Sequence, residues 1–467
     1  MGRKKSLPVI EDVEIIELAA EGNAIAKIDG KVLFVPKAIP GDVVDVQLTR
    51  KRTSFMEGYV VNYKRYSQHR IEPFCSHFGT CGGCKWQHLP YTEQLRWKQK
   101  QVTDNLQRIG GGQIEKVFNI MPSENTRFYR NKLEYTFSNN RWLPAEMIKQ
   151  PDFVREPGAG FHIQGMFDKV LDLDYCYHQP DPSNEFRLAL KQFLLDNNLS
   201  FFDIREKKGF LRNLVVRNTV AGQWMLIVIF GEDNPQQITK TLTYLKDRFS
   251  ALDSLMFTVN TKLNDTFHDL DIKLYYGKPY IVEKMEDLQF KIGPKSFFQT
   301  NTQQAVNLYS KVREWASLHS DDIVYDLYTG TGTIANFLAP HAKRVVGIEY
   351  IADAIEDAKE NSKLNNITNT LFFAGDIKDL LNDSFFNEHG RPRVVVTDPP
   401  RAGMHPDVIN ALLGALPETI VYVSCNPATQ ARDIKLMADK YKVVSIQPVD
   451  MFPHTHHVEN IALLSLR

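Results

Sequence analysis

The stretch Asp322-Ile-Val-Tyr-Asp-Leu-Tyr-Thr-Gly-Thr-Gly332 sets the reading of the chain. An apolar run from Asp322 to Leu327 ends in a Gly-rich turn and passes into a helical pattern. That is the pattern of a buried strand feeding a helix. The alternation continues downstream. Arg344 to Ile348 is a strand ending in Glu349, Ile351 to Leu364 a helix, and Thr370 to Ala374 a strand ending near Asp376. Val394 to Thr397 leads into Asp398, and Ile420 to Ser424 into Cys425. Val443 to Gln447 and Ile461 to Leu466 complete the set. Alternating elements with strands rich in Val, Ile and Leu predict an α/β fold, doubly wound on a largely parallel sheet.

Working outward, residues 9–65 read as about five short strands, with Asp29-Gly30 as a type I′ hairpin signal. They predict a small closed barrel of the OB type. Arg50, Lys51, Arg52, Lys64, Arg65 and Arg70 cluster near its end among Tyr59, Tyr63 and Tyr66. Such a mixture tracks a nucleic-acid backbone and stacks bases, or else protects a solvated edge. Residues 125–290 mix strand-like and helical runs, an α+β segment. The division is 1–68 for the barrel, 69–290 for the central segment and 291–467 for the doubly wound unit.

Length and charge fit this organisation. A chain of 467 residues is enough for about three domains of roughly 150 residues. Net charge is zero, yet residues 1–150 carry 23 Lys and Arg against 16 Asp and Glu, and the remainder 33 against 40. A basic front section suits a phosphate-bearing partner. No apolar run approaches the ~20 residues of a membrane span. The start lacks a secretory h-region, although Gly2 and Ser6 fit the bare myristoylation pattern. A cytoplasmic protein without an obligate protein partner is expected.

The motifs carry chemistry at strand ends. Gly330 and Gly332 let a cofactor approach the backbone. Glu349 stands where a carboxylate takes both ribose hydroxyls, and Asp376 near the adenine. Together they suit S-adenosylmethionine, with Tyr328 either closing over the ligand or packing. Asp398-Pro-Pro-Arg-Ala-Gly403 gives a stiff turn at the active edge. Its fourth position is Arg, which weakens an adenine amino-methyltransferase reading. Cys425, in Val-Ser-Cys-Asn-Pro, is placed as a nucleophile, and the dipole of the following helix is expected to lower its pKa. In Pro453-His-Thr-His-His-Val-Glu-Asn460 the preferred general base is Glu459, with the histidines as loop or RNA-facing groups. Cys75, Cys81, Cys84 and Cys176 form a four-thiolate set for a metal or iron–sulfur site.

Cys-Gly-Gly-Cys with Gln87-His88, Phe298-Gln299, Asp-Pro-Pro-Arg-Ala-Gly, Ser-Cys-Asn-Pro and His-His-Val-Glu occur here in one order. In this the chain resembles the TrmA/RumA family of RNA uracil-C5 methyltransferases along nearly its whole length. The resemblance implies a class I, Rossmann-like methyltransferase domain and makes the front barrel a TRAM domain. It makes Cys425 the nucleophile and Glu459 the base, and puts Gln299, Tyr328, Glu349 and Asp398 at the S-adenosylmethionine site. Cys75, Cys81, Cys84 and Cys176 become ligands of a 4Fe-4S cluster, zinc being the alternative. Phe297 lies against the target base. Thr329-Gly330 and Thr333 depart from the usual cofactor loop, so Thr333 is a doubtful ligand. The tRNA branch generally lacks the four-cysteine set, which tilts the substrate toward 23S rRNA. The alternatives are a tRNA uracil-5-methyltransferase and a non-catalytic RNA-binding or assembly factor.

Overall fold

The computed structural model describes residues 7–111, 114–149 and 156–467, so the Gly2 and Ser6 pattern lies outside the described residues. The front unit is a six-stranded sheet. Ala24–Ile28 and Lys31–Val35 join through Asp29 and Gly30, both at positive φ, as the type I′ signal predicts. Val9–Glu14 pairs with Val43–Lys51, and Glu17–Leu18 pairs with Ala24–Ile28. These two edge strands are consecutive in the chain. One bent segment therefore occupies both edges of the sheet and closes it around Val13, Ala26, Leu33, Val46 and Met56. Closure leaves no long unpaired edge to aggregate.

The central sheet has seven strands, from Met166–Asp172 at one edge to Lys273–Gly277 at the other. Leu214, Val216, Leu226 and Val228 on one face pack with Phe186, Leu190, Ile238 and Leu242 of helices Ser183–Asp196 and Pro235–Arg248. Alternate residues Val215, Met225, Ile227 and Ile229 point the other way, as the strand period requires. That second face joins the core of the C-terminal unit through helix Thr302–Ala316, which buries Ala305, Leu308 and Val312.

The C-terminal sheet runs Thr370–Ala374, Arg344–Glu349, Ile323–Leu327, Val394–Thr397, Thr419–Ser424, Glu459–Leu466, Tyr441–Val449 and Ile114–Val117. The first five are parallel, and Glu459–Leu466 is antiparallel to its neighbours. The eighth strand comes from the segment expected to be central. Ile114–Val117 pairs beside Tyr441–Val449, and Val102 and Leu106 of helix Tyr91–Arg108 pack into this unit's core. Such long-range pairing leaves no periodic trace in sequence.

That helix also carries a buried ion pair. Lys98 Nζ stands 2.6 Å from Asp450 Oδ1, with both side chains shut off from solvent. Lys98 Nζ also donates to the Phe452 carbonyl at 3.0 Å. Removing one partner strands the other charge in low dielectric. Lys98→Met should cost about 3–5 kcal/mol in denaturant unfolding. Lys98→Met combined with Asp450→Leu should recover most of that loss.

Candidate active site

The strand order reverses between Ile323–Leu327 and Val394–Thr397, which makes their carboxyl ends the crevice of the sheet. Tyr328, Glu349, Asp398 and Cys425 all stand at carboxyl ends of parallel strands. Ser424 pairs with Asn460 in the antiparallel ladder. Cys425 follows Ser424 and Glu459 precedes Asn460, and the Glu459 carboxylate is near enough to act on the thiol. Sequence distance separates these two side chains, and the register brings them together.

The thiol is half-buried. Burial, together with the Glu459 and Asp398 carboxylates, pushes the Cys425 thiol up to about 11, while Arg401 acts in the opposite direction. The expected lowering by the helix dipole is thus overturned. Asn426 does cap helix Pro427–Met437, its side chain accepting from Ala428 N at 3.2 Å. Desolvation and two nearby acids outweigh that dipole. Arg401 is held in place by its carbonyl, which accepts from Asn426 Nδ2 at 3.1 Å and Thr429 Oγ1 at 3.2 Å.

The acids share this dry environment. Removal from water, with Asp398 adding to it, pushes Glu459 up to about 8. Burial pushes Asp398 up to about 7. Two participants were not anticipated. Tyr309 is buried on helix Thr302–Ala316, near Asp398, Asp326 and Glu459, and its phenol is raised well above the ordinary range. Its polar hydroxyl on an otherwise apolar stripe was the available signal. Asp326 is buried and pushed up to about 7; Thr329 Oγ1 donates to its Oδ2, and its Oδ1 has no partner among the described residues.

The neighbouring edge of the crevice is organised around the glycines. Gly330, at positive φ, has open space where a Cβ would stand, whereas a Cβ on Gly332 would come within 2.9 Å of Ala358 Cβ. The first glycine leaves room for a ligand, and the second allows the helix to pack. Glu349 is held by Gly330 N at 3.3 Å and Ile351 N at 3.0 Å. Tyr328 adopts a left-handed φ of 62°, unusual for a bulky residue. Burial, with Asp376 and Glu349 nearby, pushes its phenol up to about 12. Asp376 is half-buried, caps the short helix Ile377–Leu380 and pairs with Lys378 at 2.6 Å. The Gln299 carbonyl accepts from Asn131 Nδ2 at 2.9 Å. Of the adjacent phenylalanines, Phe298 is buried and Phe297 is 70% exposed. Thr333 is buried beside Thr331.

The histidines lie in the loop before Glu459, as one of the two expected readings has it. His454 is buried: its backbone N donates to Gln94 Oε1, and its carbonyl accepts from Lys85 N and Trp86 N. The His456 and His457 rings lie 4.0 Å apart between centroids, tilted by 40°, and Arg401 Nη2 stands 2.6 Å from His457 Nδ1. Burial lowers His457 to about 4, so the neutral ring accepts from Arg401.

Cys75, Cys81, Cys84 and Cys176 line one cavity with Phe74 and His178. Cys84 Sγ is 3.1 Å from His178 Nε2, and Gly83 N donates to Cys81 Sγ at 3.4 Å. Burial raises all four thiols, and for Cys81, Cys84 and Cys176 the other cysteines of the set add to it. Among the described residues no group of three or more His, Cys, Asp or Glu side chains is arranged to hold a metal ion. The four thiols line one cavity, and as sulfur donors their chemistry suits an iron–sulfur group or zinc.

On the barrel, Arg70 pairs with buried Asp42 and lies over Tyr63 and Tyr66, which stack at 4.8 Å. Lys64 pairs with Asp45, and Arg50 with Glu57. Tyr59 and Tyr66 are exposed.

Residues 217–467 match the family described as tRNA (Uracil-5-)-methyltransferase, and residues 10–61 match the TRAM domain. A protein of Bacteroides thetaiotaomicron described as an uncharacterized RNA methyltransferase is 53% identical over 96% of this chain and 100% of its own length. The chain belongs to this family of RNA uracil-5-methyltransferases. A Porphyromonas gingivalis relative with the same description is 54% identical over 97% of this chain and 99% of its own. The crystal structure of Pyrococcus abyssi tRNA (uracil-54, C5)-methyltransferase with S-adenosyl-L-homocysteine is also similar. It is 31% identical, with a TM-score of 0.75, over 97% of this chain and 100% of that one. As a member of this family the enzyme uses S-adenosylmethionine to methylate uracil at C5 in RNA. Among the described residues no helix is long and apolar enough to cross a membrane.

The electrostatics of the cleft have a direct consequence. In the ligand-free enzyme, iodoacetamide should alkylate Cys425 slowly at pH 7 and faster as pH rises toward about 11. Arg401→Ala should move the profile higher, since it removes the charge that favours thiolate. Peptide mass spectrometry separates Cys425 from the other four cysteines. A midpoint below pH 8 would contradict this account.

Proposed function

We propose that the enzyme methylates uridine in 23S ribosomal RNA, with Cys425 as nucleophile and Glu459 as base. Uracil C5 is a weak nucleophile. Addition of the Cys425 thiolate to C6 forms a C–S bond and leaves an enolate reactive at C5. S-adenosylmethionine supplies an electrophilic methyl to C5 and leaves as S-adenosylhomocysteine. Glu459 then takes the C5 proton; the C5–H electrons rebuild the ring double bond and expel Cys425. An acid raised to about 8 is well matched to accept a proton near neutral pH. Arg401 offsets the charge of the thiolate. Gln299, Tyr328, Glu349, Asp376 and Asp398 are the proposed residues for the methyl donor, and Phe297 for the target base. The observation that supports this reading is the proximity of Glu459 to Cys425 beside the Ser424–Asn460 pair, felt in the raised thiol.

The four-cysteine set is read as the seat of a 4Fe-4S cluster with a structural role, tying Cys176 to the loop of Cys75 to Cys84. Zinc held by the same four thiolates is the alternative. Protein purified without oxygen should be brown with broad visible absorption, and Cys176→Ser should bleach it. A colourless protein containing stoichiometric zinc would favour the alternative. The reducing cytoplasm suits such thiolates.

The four-cysteine set also supports the ribosomal substrate. The whole-chain likeness to the Pyrococcus abyssi enzyme favours a second reading, tRNA. Mapping 5-methyluridine in rRNA and tRNA of a deletion strain decides between them: loss from 23S rRNA supports the first, and loss from tRNA alone overturns it. On that RNA, Cys425→Ala should lose turnover at least 10³-fold while keeping RNA binding, in line with loss of a covalent nucleophile. Glu459→Gln should leave a protein–RNA adduct stable on a denaturing gel.

A further inference from the structure

Beside the cleft lies a second pocket of about 670 Å³ that the mechanism above leaves unused. It runs between Gly82 and Gly83 of the cysteine loop and strands Lys132–Ser138 and Gly158–Ile163. Arg130, Lys132, Glu134, Phe161 and Thr300 stand on its wall, and Thr300 follows Gln299 directly. Arg217, 5% exposed, is the cross-strand partner of Lys132, and its Nη2 donates to the Ser296 carbonyl at 2.8 Å.

Charge here is out of balance. Glu134 is the acidic residue on this wall among the described residues, and it pairs with Lys132 at 2.6 Å. Its side chain is 49% exposed, a poor counterion for a buried guanidinium. Arg130 Nε, Arg217 Nε and Thr300 Oγ1 have no hydrogen-bond partner among the described residues. Buried donors without partners are costly, and clustered cations lacking counterions attract an anion. An apolar wall from Phe161 beside them matches the sugar and base of a nucleotide. The volume is that of an ordinary small-molecule site.

We propose that this pocket receives the phosphodiester of a nucleotide flanking the target uridine, with Arg130 and Lys132 as its cationic partners. The inference rests on the uridine-methylation reading. Arg217, the cross-strand neighbour of Lys132, contributes a fixed positive potential, and Glu134 is the group the phosphate displaces from Lys132. The flanking phosphate thereby helps to hold the extruded strand, whose unstacking costs a few kcal/mol.

The test uses the full-length holoenzyme and deproteinised RNA from a strain lacking the enzyme. Binding is measured over a salt series, and labelled methyl transfer over an RNA series. Lys132→Gln should lower kcat/KM about tenfold, mostly through KM, and reduce the slope of log affinity against log salt by about one. Lys132→Arg should restore both. Glu134→Gln should act oppositely and tighten binding. Unchanged slope and KM in Lys132→Gln would overturn the proposal, as would Glu134→Gln weakening binding like the lysine variant. Absence of methyl transfer by the wild type, with the slope still reduced in Lys132→Gln, would overturn the catalytic reading while supporting a phosphate in this pocket.

Discussion

The buried Lys98–Asp450 pair anchors the most consequential loop of the molecule. Residues 450–458 connect strand Tyr441–Val449 to strand Glu459–Leu466. That loop touches three separate parts of the chain. His454 holds the cysteine loop through Lys85 and Trp86, His457 meets Arg401, and the loop leads into Glu459, whose carboxylate acts on the Cys425 thiol. An uncompensated charge in low dielectric costs several kcal/mol. The pair therefore has few ways to rearrange, and the loop is pinned to helix Tyr91–Arg108 from behind. The barrel leans on the same assembly: Trp86 Nε1 donates to the Gly22 carbonyl at 3.3 Å, and a Cβ on Gly22 would meet Lys85 and His456.

Around that frame the cleft is dry and acidic. Cys425, Glu459, Asp398, Asp326 and Tyr309 all hold their protons more tightly than in water. The cause is shared, since burial penalises each anion and each anion penalises its neighbours. Arg401 is the nearby opposing charge on the thiol. A sulfonium donor brings a positive charge into such a site, and an acidic pocket favours it. The neutral histidines fit this picture, because a low-dielectric surround with Arg401 and Lys98 nearby disfavours imidazolium.

Much of the fold was legible in the residues. Asp29-Gly30 forms the expected two-residue turn because both positions tolerate positive φ. The strands at Arg344 and Thr370 and the helix ending at Leu364 follow from apolar runs and the 3.6-residue period. The motif residues lie at strand ends because a doubly wound sheet has only one edge where loops converge. Other features left no such trace. Tyr309 reads as one more apolar helix position, and Asp326 as the tail of a strand. The ionisation of Cys425 was misjudged because a helix start is visible in sequence, whereas the acids across the sheet are not.

The sequence by itself determined the order of elements, the turn chemistry and the inventory of reactive side chains, since these depend on local periodicity and residue type. Only the tertiary structure decided that Ile114–Val117 extends the C-terminal sheet, that Glu459 lies within electrostatic reach of Cys425, and that Lys98 finds Asp450. Those outcomes arise from strand register and burial between residues up to hundreds of positions apart. Electrostatics in a low-dielectric interior depends on such distances, and no local pattern encodes them.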